Sequence, residues 1–271
     1  MKFICAQPDL PLFIWQLKVL LTSLQKLGVK KDNIFFLVLI DGSPSKEIRE
    51  LQRFANIIFY PDRTNGRIYP PSSKPYLFGR FWEDNPGNEN THFLFVESDM
   101  FLYRLPDLPD DSTWYWSSAE GYLTTGKIEN LINYPPVRTV PFGFHCYGKG
   151  ADHNFWFKVE HESQQLYINL QQKRIAVNPW VSEMYCWMWA ALEKFDNKIS
   201  PELLFNDGNG LRKEGAVLYH QIGKKSFNKR AYSHSAEIPP SIKIDENFAS
   251  YDYMKALDAA RHNFNRSGFE S

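Results

Sequence analysis

The sequence predicts an α/β fold in which helices cover both faces of a mostly parallel central sheet. The first observation is that apolar runs of strand length alternate with segments of helical periodicity in the N-terminal part. The second is that these apolar runs are continuous, which is typical of strands buried on both faces. Both favour a parallel sheet, because parallel strands need the long crossovers that helices provide.

The N-terminal part accounts for three predicted strands and two predicted helices. The helix Pro11–Leu27 has apolar residues at helical spacing and ends at Gly28, a residue type that commonly follows a helix. The segment Ser45–Phe54 reads as a helix with a polar face. The strands are predicted at Phe3–Ala6, Ile34–Ile40 and Asn56–Tyr60.

The central part of the chain is less regular. Residues 61–75 are rich in Pro, Ser and Arg and predict a loop, which a short helix at Tyr76–Trp82 follows. The next predicted strand is Phe93–Val96. Residues 112–170 are aromatic and irregular, and we expect antiparallel strands there.

The C-terminal part contains one strong helix and a later one. Asn178-Pro179 is a helix start signal, a capping side chain followed by proline in the first turn, and it predicts a helix at Pro179–Phe195. A last helix is predicted near Tyr251–Phe264. Since no repeat or low-complexity segment interrupts the chain, we expect a single domain over residues 1–271.

The composition narrows the class of protein. The 271 residues are 43% apolar and 16% aromatic, which is enough for a large core. Lys+Arg and Asp+Glu are equal at 31 each, so nucleic acid binding would need a local basic patch. The three cysteines, Cys5, Cys146 and Cys186, lack the spacing of a zinc site or a disulfide framework.

The N-terminus and the apolar runs bear on localisation. Polar residues break the N-terminal apolar run early, so we expect no signal peptide. The longest apolar run, Ile34–Ile40, is too short to cross a bilayer. With so few cysteines, these features predict a protein of the cytoplasm, or of the host cytoplasm if the source is viral.

The stretch "FLFVESDM" places two carboxylates directly after a buried strand. In a strand, residues two apart point to the same face, so Glu97 and Asp99 are expected to project together at the carboxyl end of the strand. Ligands bind at that edge in open α/β sheets. A Mg²⁺ or Mn²⁺ ion would offset the repulsion between the carboxylates, whereas the alternative is a solvated turn.

The stretch "YHQIGKKSF" supplies a histidine, a glycine and two lysines. The imidazole of His220 can complete a metal site beside carboxylates. Gly223 permits close backbone approach, and Lys224 or Lys225 can meet phosphate oxygens. The alternative is a surface loop with an incidental basic pair.

The stretch "NPWVSEMYCWMWAAL" surrounds a lone carboxylate with apolar residues. Glu183 is the only formal charge between Arg174 and Glu193, in a helix that is apolar nearly all round. A buried carboxylate needs a partner, a ligand or a raised pKa, so Glu183 is a catalytic candidate. The alternative is a structural carboxylate that a core tyrosine or a backbone donor satisfies.

Two weaker candidates complete the expected donor site. Arg67 lies, with other basic residues, in the loop before the carboxylate strand and can face a diphosphate or simply water. Asp41 ends the second strand, where it can touch a nucleoside.

Together these motifs resemble those of GT-A-fold glycosyltransferases. "VESDMFLYRLPDLP" resembles the Glu-Pro-Asp-His…Pro-Leu-Pro-Asn-Leu stretch of the plant hydroxyproline O-arabinosyltransferases and the related peptidyl-serine galactosyltransferases. "WVSEMYCWMWA" resembles the Trp-Val-x-Glu-Met-Tyr helix of that family. Ser98 and Met100 depart from it, standing where the family has Pro and His.

The resemblance implies a GT-A, Rossmann-like nucleotide-binding fold and a metal-dependent transfer from a nucleotide sugar, expected to be a UDP-sugar. In glycogenin-like members of this fold, the acidic motif and a later histidine hold Mn²⁺, and by position these correspond to Glu97, Asp99 and His220, which are expected to bind Mn²⁺ or Mg²⁺. Glu183 matches the glutamate of the Trp-Val-x-Glu-Met-Tyr motif and is expected to act in catalysis. Lys224, Lys225, Gly223, Asp41 and Arg67 would contact the donor.

The acceptor is open between two classes of hydroxyl group. The expected absence of a signal peptide favours an intracellular acceptor such as a hydroxymethylated base in double-stranded DNA. A basic-aromatic patch suited to a phosphate backbone is formed by Lys224, Lys225, Lys229 and Arg230, with Phe227 and Tyr232 interleaved. The alternatives are hydroxyproline or serine of a protein, or a non-catalytic module that binds a nucleotide sugar or carbohydrate.

Overall fold

A seven-stranded sheet lies at the centre of the protein. The computed structural model describes residues 1–64, 66–118, 142–172, 178–222 and 226–266. Its strands are β1 (Lys2–Pro8), β2 (Ile34–Ile40), β3 (Asn56–Pro61), β4 (Phe93–Phe95), β5 (Met100–Leu102), β6 (Trp114–Ser118), β7 (Phe142–Gly148), β8 (Asn197–Ile199), β9 (Phe205–Asp207) and β10 (Leu218–His220). Its α-helices are α1 (Pro11–Lys26), α2 (Lys46–Glu50), α3 (Ser73–Asp84), α4 (His153–Gln172), α5 (Ser182–Lys194) and α6 (Ser250–Arg266).

The strand order confirms the predicted α/β class. The central sheet runs β3-β2-β1-β4-β7-β6-β8. The pairs β1–β2, β2–β3, β1–β4 and β6–β8 are parallel, whereas β7 runs antiparallel to both of its neighbours, β4 and β6. The sheet is therefore mostly parallel, and the carboxyl ends of β1, β2 and β4 share one edge.

Alternate residues of β1 show how both faces of the sheet are buried. Phe3 and Cys5 pack in the cluster that contains the apolar stripe of α1. Ile4 and Ala6 face the opposite cluster, where residues of α3, α4 and α5 bring many aromatic rings together. Burial on both faces is the reason that the strand sequences are continuously apolar.

A second, smaller sheet packs in the same cluster as α1 and has the order β5-β10-β9. Strand β10 is antiparallel to β5 and parallel to β9. The pairing places His220 opposite Met100, directly after the acidic motif. The sequence does not predict this sheet, because three-residue strands carry too little periodicity to be recognised.

Helix α4 occupies part of the region for which we expected antiparallel strands. Strands β6 and β7, from the same region, are antiparallel to each other as expected. The buried residues of α4 recur at spacings of three and four, which is a helical pattern. They are Phe155, Trp156, Val159, Ser163, Leu166 and Leu170. The polar Ser163 within this stripe and the high aromatic content hide the pattern.

Several predicted helices differ at their ends. Helix α3 begins at Ser73, so Lys74, which was expected in a loop, lies in its first turn. Helix α2 is shorter than predicted, because the chain tightens into a 3₁₀ turn after Glu50. Asn178 accepts a hydrogen bond from the backbone N–H of Trp180 (3.1 Å), as the start signal predicted. Within the described ranges, every helix is too short or too polar to cross a membrane.

Candidate metal centre

A turn at the end of β4 carries the two carboxylates of the acidic motif. The backbone N–H of Met100 donates to the carbonyl of Glu97 (3.2 Å), so the segment from Glu97 to Asp99 turns and does not continue the strand. The expectation that strand alternation aligns the carboxylates is therefore wrong. Buried Ser98 donates to the side-chain oxygen of Gln16 (2.7 Å) and ties the turn to α1.

The pairing of β5 with β10 brings His220 to this turn. The backbone N–H of Gln221 donates to the carbonyl of Asp99 (3.0 Å), which continues the pairing past the strand end. His220 Nε2 lies 3.0 Å from Glu97 Oε2 and 3.4 Å from Asp99 Oδ1. One potential ligand atom from each of the three residues lies within 4.8 Å of the other two. The structure thus brings together the three residues that the sequence predicted as metal ligands.

Two lysines neutralise this acidic site. Lys229 contacts Asp99 Oδ2, and it donates to the backbone carbonyl of Gln221 (2.9 Å). Lys74 contacts Glu97 Oε1 and also reaches Glu183 Oε1, at 3.1 Å. Lys74 thus links Glu183, the predicted catalytic residue, to Glu97 of the acidic motif.

Glu183 is buried in the first turn of α5, with 2% of its surface exposed. Its Oε2 lies 2.9 Å from the Tyr69 hydroxyl, which also accepts a hydrogen bond from the Glu183 backbone N–H (3.0 Å). Glu183 therefore has the tyrosine partner that a structural carboxylate requires. It differs from an ordinary structural carboxylate in sharing a lysine with Glu97.

The charges of the cluster hold one another in their ionised forms. Burial alone would lower the pKa of His220, but the carboxylates of Asp99 and Glu97 outweigh burial and raise it to about 10. Burial opposes ionisation of Glu97 and Asp99, yet Lys74, Lys229 and His220 hold both pKa values below their usual range. Three carboxylates, counting Glu183, thus face two ammonium groups and one imidazolium, and the cluster is electrically neutral.

The pKa of Glu183 is shifted in the opposite direction from the pKa values of Glu97 and Asp99. Burial raises the pKa of Glu183, and Lys74 only partly opposes this effect. The cluster therefore holds two strongly ionised carboxylates at the turn and one carboxylate with a higher proton affinity on α5.

His145 and Tyr69 were not predicted from the sequence, and Lys74 was placed only among the basic residues of the loop at residues 61–75. His145 is a single histidine within the fully buried strand β7, and its Nε2 lies 3.0 Å from His220 Nδ1. A lone polar residue in an apolar strand is the signal that could have identified it. Tyr69 lies among prolines and carried no comparable signal.

Arg67 and Asp41 have other surroundings. The buried Arg67 side chain pairs with Asp62 (3.0 Å) and Glu160 (2.6 Å) and packs over the ring of Tyr76. Its guanidinium is thus engaged in a separate ion-pair group. Asp41 directly follows β2 and is exposed.

The segment after β10 differs from the expected basic-aromatic patch. Phe227 is buried, packs edge-on against Trp15 and stacks on Tyr232. Lys229 turns toward Asp99, while Arg230 is exposed. Gly223, Lys224 and Lys225, the other predicted donor contacts, lie outside the described residues.

The comparison with known proteins does not assign a function, so a functional assignment rests on the motifs and distances described above. Neither a protein-family model nor a curated protein sequence matches the chain.

Proposed function

We propose that the protein is a metal-dependent glycosyltransferase that uses a nucleotide sugar on a GT-A-type fold. The observation that carries the proposal is the convergence of Glu97, Asp99 and His220 beyond the carboxyl end of β4. In open, mostly parallel sheets this edge is where ligands bind. The separate sequence resemblance assigns the same three residues to a metal.

The chemistry of the donor atoms supports Mn²⁺ or Mg²⁺. Two carboxylates and one imidazole suit these ions, which prefer oxygen ligands and keep positions open for water or phosphate. A bound ion would supply positive charge for the diphosphate leaving group. Because metal binding requires neutral His220, the cluster would change from neutral to a net charge of +1, which favours an anionic donor.

Lys229 is a further candidate for contact with the donor phosphates. Its ammonium group contacts Asp99 Oδ2, and its side chain remains 24% exposed. A lysine in this position can meet phosphate oxygens as a point charge. The role that the sequence gives to Lys224 or Lys225 stays a prediction for those two residues.

Glu183 is the residue to which we assign the transfer step. In an inverting enzyme it would take the proton from the acceptor hydroxyl, a role that suits a buried carboxylate with a raised pKa. In a retaining enzyme, as in the families that the sequence resembles, it would position or stabilise the reacting sugar. Lys74 links it to Glu97 and so holds it beside the proposed metal ligands.

The acceptor is proposed as a hydroxyl of a hydroxymethylated base in DNA, with a protein hydroxyl as the alternative. Arg230 is exposed and available to a phosphate backbone, but Phe227 is packed in the core and would not stack on a base. A transfer assay with a nucleotide sugar that carries a labelled sugar distinguishes the two acceptors. The donor is offered to hydroxymethylated DNA and, separately, to hydroxyproline or serine peptides. Label on peptide alone would refute the DNA acceptor.

Thermal unfolding with a panel of nucleotide sugars tests donor binding. A ligand at a hundred times its dissociation constant adds about 2.7 kcal/mol of stability. We expect one donor class to raise the melting temperature in the presence of Mn²⁺ and to lose this effect when EDTA is added. Asp99→Asn is the matched control, because it keeps the size of the side chain and removes the ligand charge. Stabilisation of this variant equal to that of the wild type would contradict the metal site.

One observation favours a non-catalytic binding module instead. Tyr69 and Lys74 together satisfy Glu183, so a purely structural role is chemically complete. Such a module would bind the same donor with Mn²⁺ without cleaving it. Slow metal-dependent hydrolysis of the donor separates the enzyme from the module.

A further inference from the structure

A chain of hydrogen bonds continues from His220 away from the carboxylates. His145 Nε2 lies 3.0 Å from His220 Nδ1, and His145 Nδ1 lies 3.2 Å from the Ser117 hydroxyl. All three side chains are buried. The chain connects β10 through β7 to β6, so it joins the small sheet to the central sheet.

We propose that His145 is a positioning residue that accepts a hydrogen bond from His220 Nδ1 and so presents His220 Nε2 to Glu97 and Asp99. This role deepens the proposed function and rests on it for the use of His220 as a metal ligand. The orientation of the two imidazoles can be measured independently of any metal.

The placement of protons follows from the contacts. A histidine that binds a metal through Nε2 must carry its proton on Nδ1, and that proton needs an acceptor. The acceptor next to His220 Nδ1 is His145 Nε2. His145 must then carry its own proton on Nδ1, from which it donates to Ser117 Oγ. When His220 is doubly protonated in the metal-free protein, the same two hydrogen bonds persist.

The surroundings of His145 hold it in place. It is 1% exposed on β7, and its Nδ1 faces the Ser117 hydroxyl, which leaves Nε2 to accept from His220. The ring of Phe205 packs against it, with the ring centroids 4.5 Å apart. Such a partner fixes the ring orientation of a metal-binding histidine and raises its basicity.

The backbone of β6 and β7 is adapted to this contact. The register between the two strands shifts between Trp116 and Ser118, where an irregularity lets β7 carry extra residues. Gly143 lies two residues before His145, and a Cβ there would overlap Ser117 Oγ and the Ser118 carbonyl. Glycine thus permits the close approach that holds Ser117 beside His145.

Calorimetric titration of Mn²⁺ into the full-length protein tests the role. We expect His145→Phe, which keeps a planar ring but has no acceptor, to weaken Mn²⁺ binding about 10- to 100-fold. His145→Gln can place an amide oxygen near the position of Nε2 and should restore most of the affinity. His161→Phe, which removes an exposed imidazole from α4, is the matched control and should bind as the wild type does. Wild-type affinity in His145→Phe, with wild-type melting in the absence of metal, would overturn the proposal.

Nitrogen NMR of the imidazoles separates failure of this inference from failure of the metal site. In the metal-free wild type we expect His145 as the neutral form protonated at Nδ1. A wild type that does not bind Mn²⁺ would refute the metal site. The tautomer of His145 in the NMR spectrum would still test whether His145 accepts a hydrogen bond from His220. If a variant at position 145 does not fold, Ser117→Ala tests the same chain: it removes the acceptor of the His145 Nδ1 proton, so it should weaken Mn²⁺ binding while His145 keeps this tautomer. His145 protonated at Nε2 in the wild type would overturn the proposal.

Discussion

His220 is held between two carboxylates on one side and a second imidazole on the other. The carboxylates lie 3.0 and 3.4 Å from Nε2, and His145 lies 3.0 Å from Nδ1. Each nitrogen of the ring therefore has a partner that accepts a hydrogen bond. This arrangement stabilises the imidazolium in the metal-free protein and prepares the ring for a metal once the Nε2 proton leaves.

The raised pKa of His220 predicts how the stability of the metal-free protein depends on pH. The folded protein holds this proton up to about pH 10, whereas an unfolded chain loses it near 6.5. The stabilisation is complete below the unfolded value and is lost as pH rises through the folded value. We expect the free energy of unfolding to fall by up to about 1.4 kcal/mol per pH unit across this window.

Urea unfolding in EDTA at several pH values measures this slope. His220→Asn is the control, because it keeps a polar side chain and cannot change charge in this range. A wild type whose stability follows the same pH profile as His220→Asn would contradict the ion pairs of His220 with Glu97 and Asp99.

Glu183→Gln separates a catalytic carboxylate from a structural one. The amide keeps the size of the side chain and can still accept from Tyr69, but it loses the charge that faces Lys74. We expect donor binding to persist and sugar transfer, or donor hydrolysis, to fall by roughly 10²-fold or more. Tyr69→Phe is the companion variant, since it removes the hydroxyl that contacts Glu183 Oε2, the Glu183 backbone N–H and the Trp180 carbonyl but keeps the charge of Glu183. Turnover near the wild-type rate in Glu183→Gln would make Glu183 structural.

At the scale of elements, the site depends on pairings that the sequence does not reveal. The motif residues Glu97, Asp99 and His220 could be predicted because acidic residues after an apolar strand and a distant histidine are local patterns. Lys74 could not be placed, because its position depends on α3 beginning at Ser73 rather than later. Lys229 looked like a surface residue because its contact with Asp99 depends on how the chain returns after β10.

The contact between β6 and β7 offers a test at this scale. An added methyl group at Gly143 would overlap Ser117 and Ser118, so Gly143→Ala should cost about 1–3 kcal/mol of stability. It should also weaken Mn²⁺ binding, because Ser117 and His145 would be displaced. Calorimetry and urea unfolding on the same preparation measure both effects.

Gly87→Ala is the control for a glycine that does not touch the site. Gly87 has a φ of +95° and open space around the position of a Cβ, so alanine adds backbone strain alone. We expect it to cost about 1–2 kcal/mol and to leave Mn²⁺ affinity unchanged. Equal Mn²⁺ affinity in Gly143→Ala and the wild type would contradict the link from β6 to the metal site.

At the scale of the whole molecule, the α/β class could be predicted because burial on both faces leaves a clear pattern in β1 and β2. Helix α4 and the small sheet could not, since their tertiary packing outweighs weak local signals. Phe227 shows the same limit, because its sequence neighbours are basic while its ring packs against Trp15. Local patterns identified residues with the right chemistry, and tertiary contacts decided which of them meet.

We propose that the edge of the sheet at β4 binds a metal and a nucleotide sugar together. Release of nucleoside diphosphate from UDP-, GDP-, ADP- and dTDP-linked sugars tests it most directly, with wild type and Asp99→Asn each in Mn²⁺ and in EDTA. We predict slow release from at least one donor by the wild type in Mn²⁺, and release at background level in EDTA and in Asp99→Asn. Release by Asp99→Asn, or by the wild type in EDTA, that equals release by the wild type in Mn²⁺ would contradict this proposal. So would the absence of both release and Mn²⁺-dependent binding for every donor.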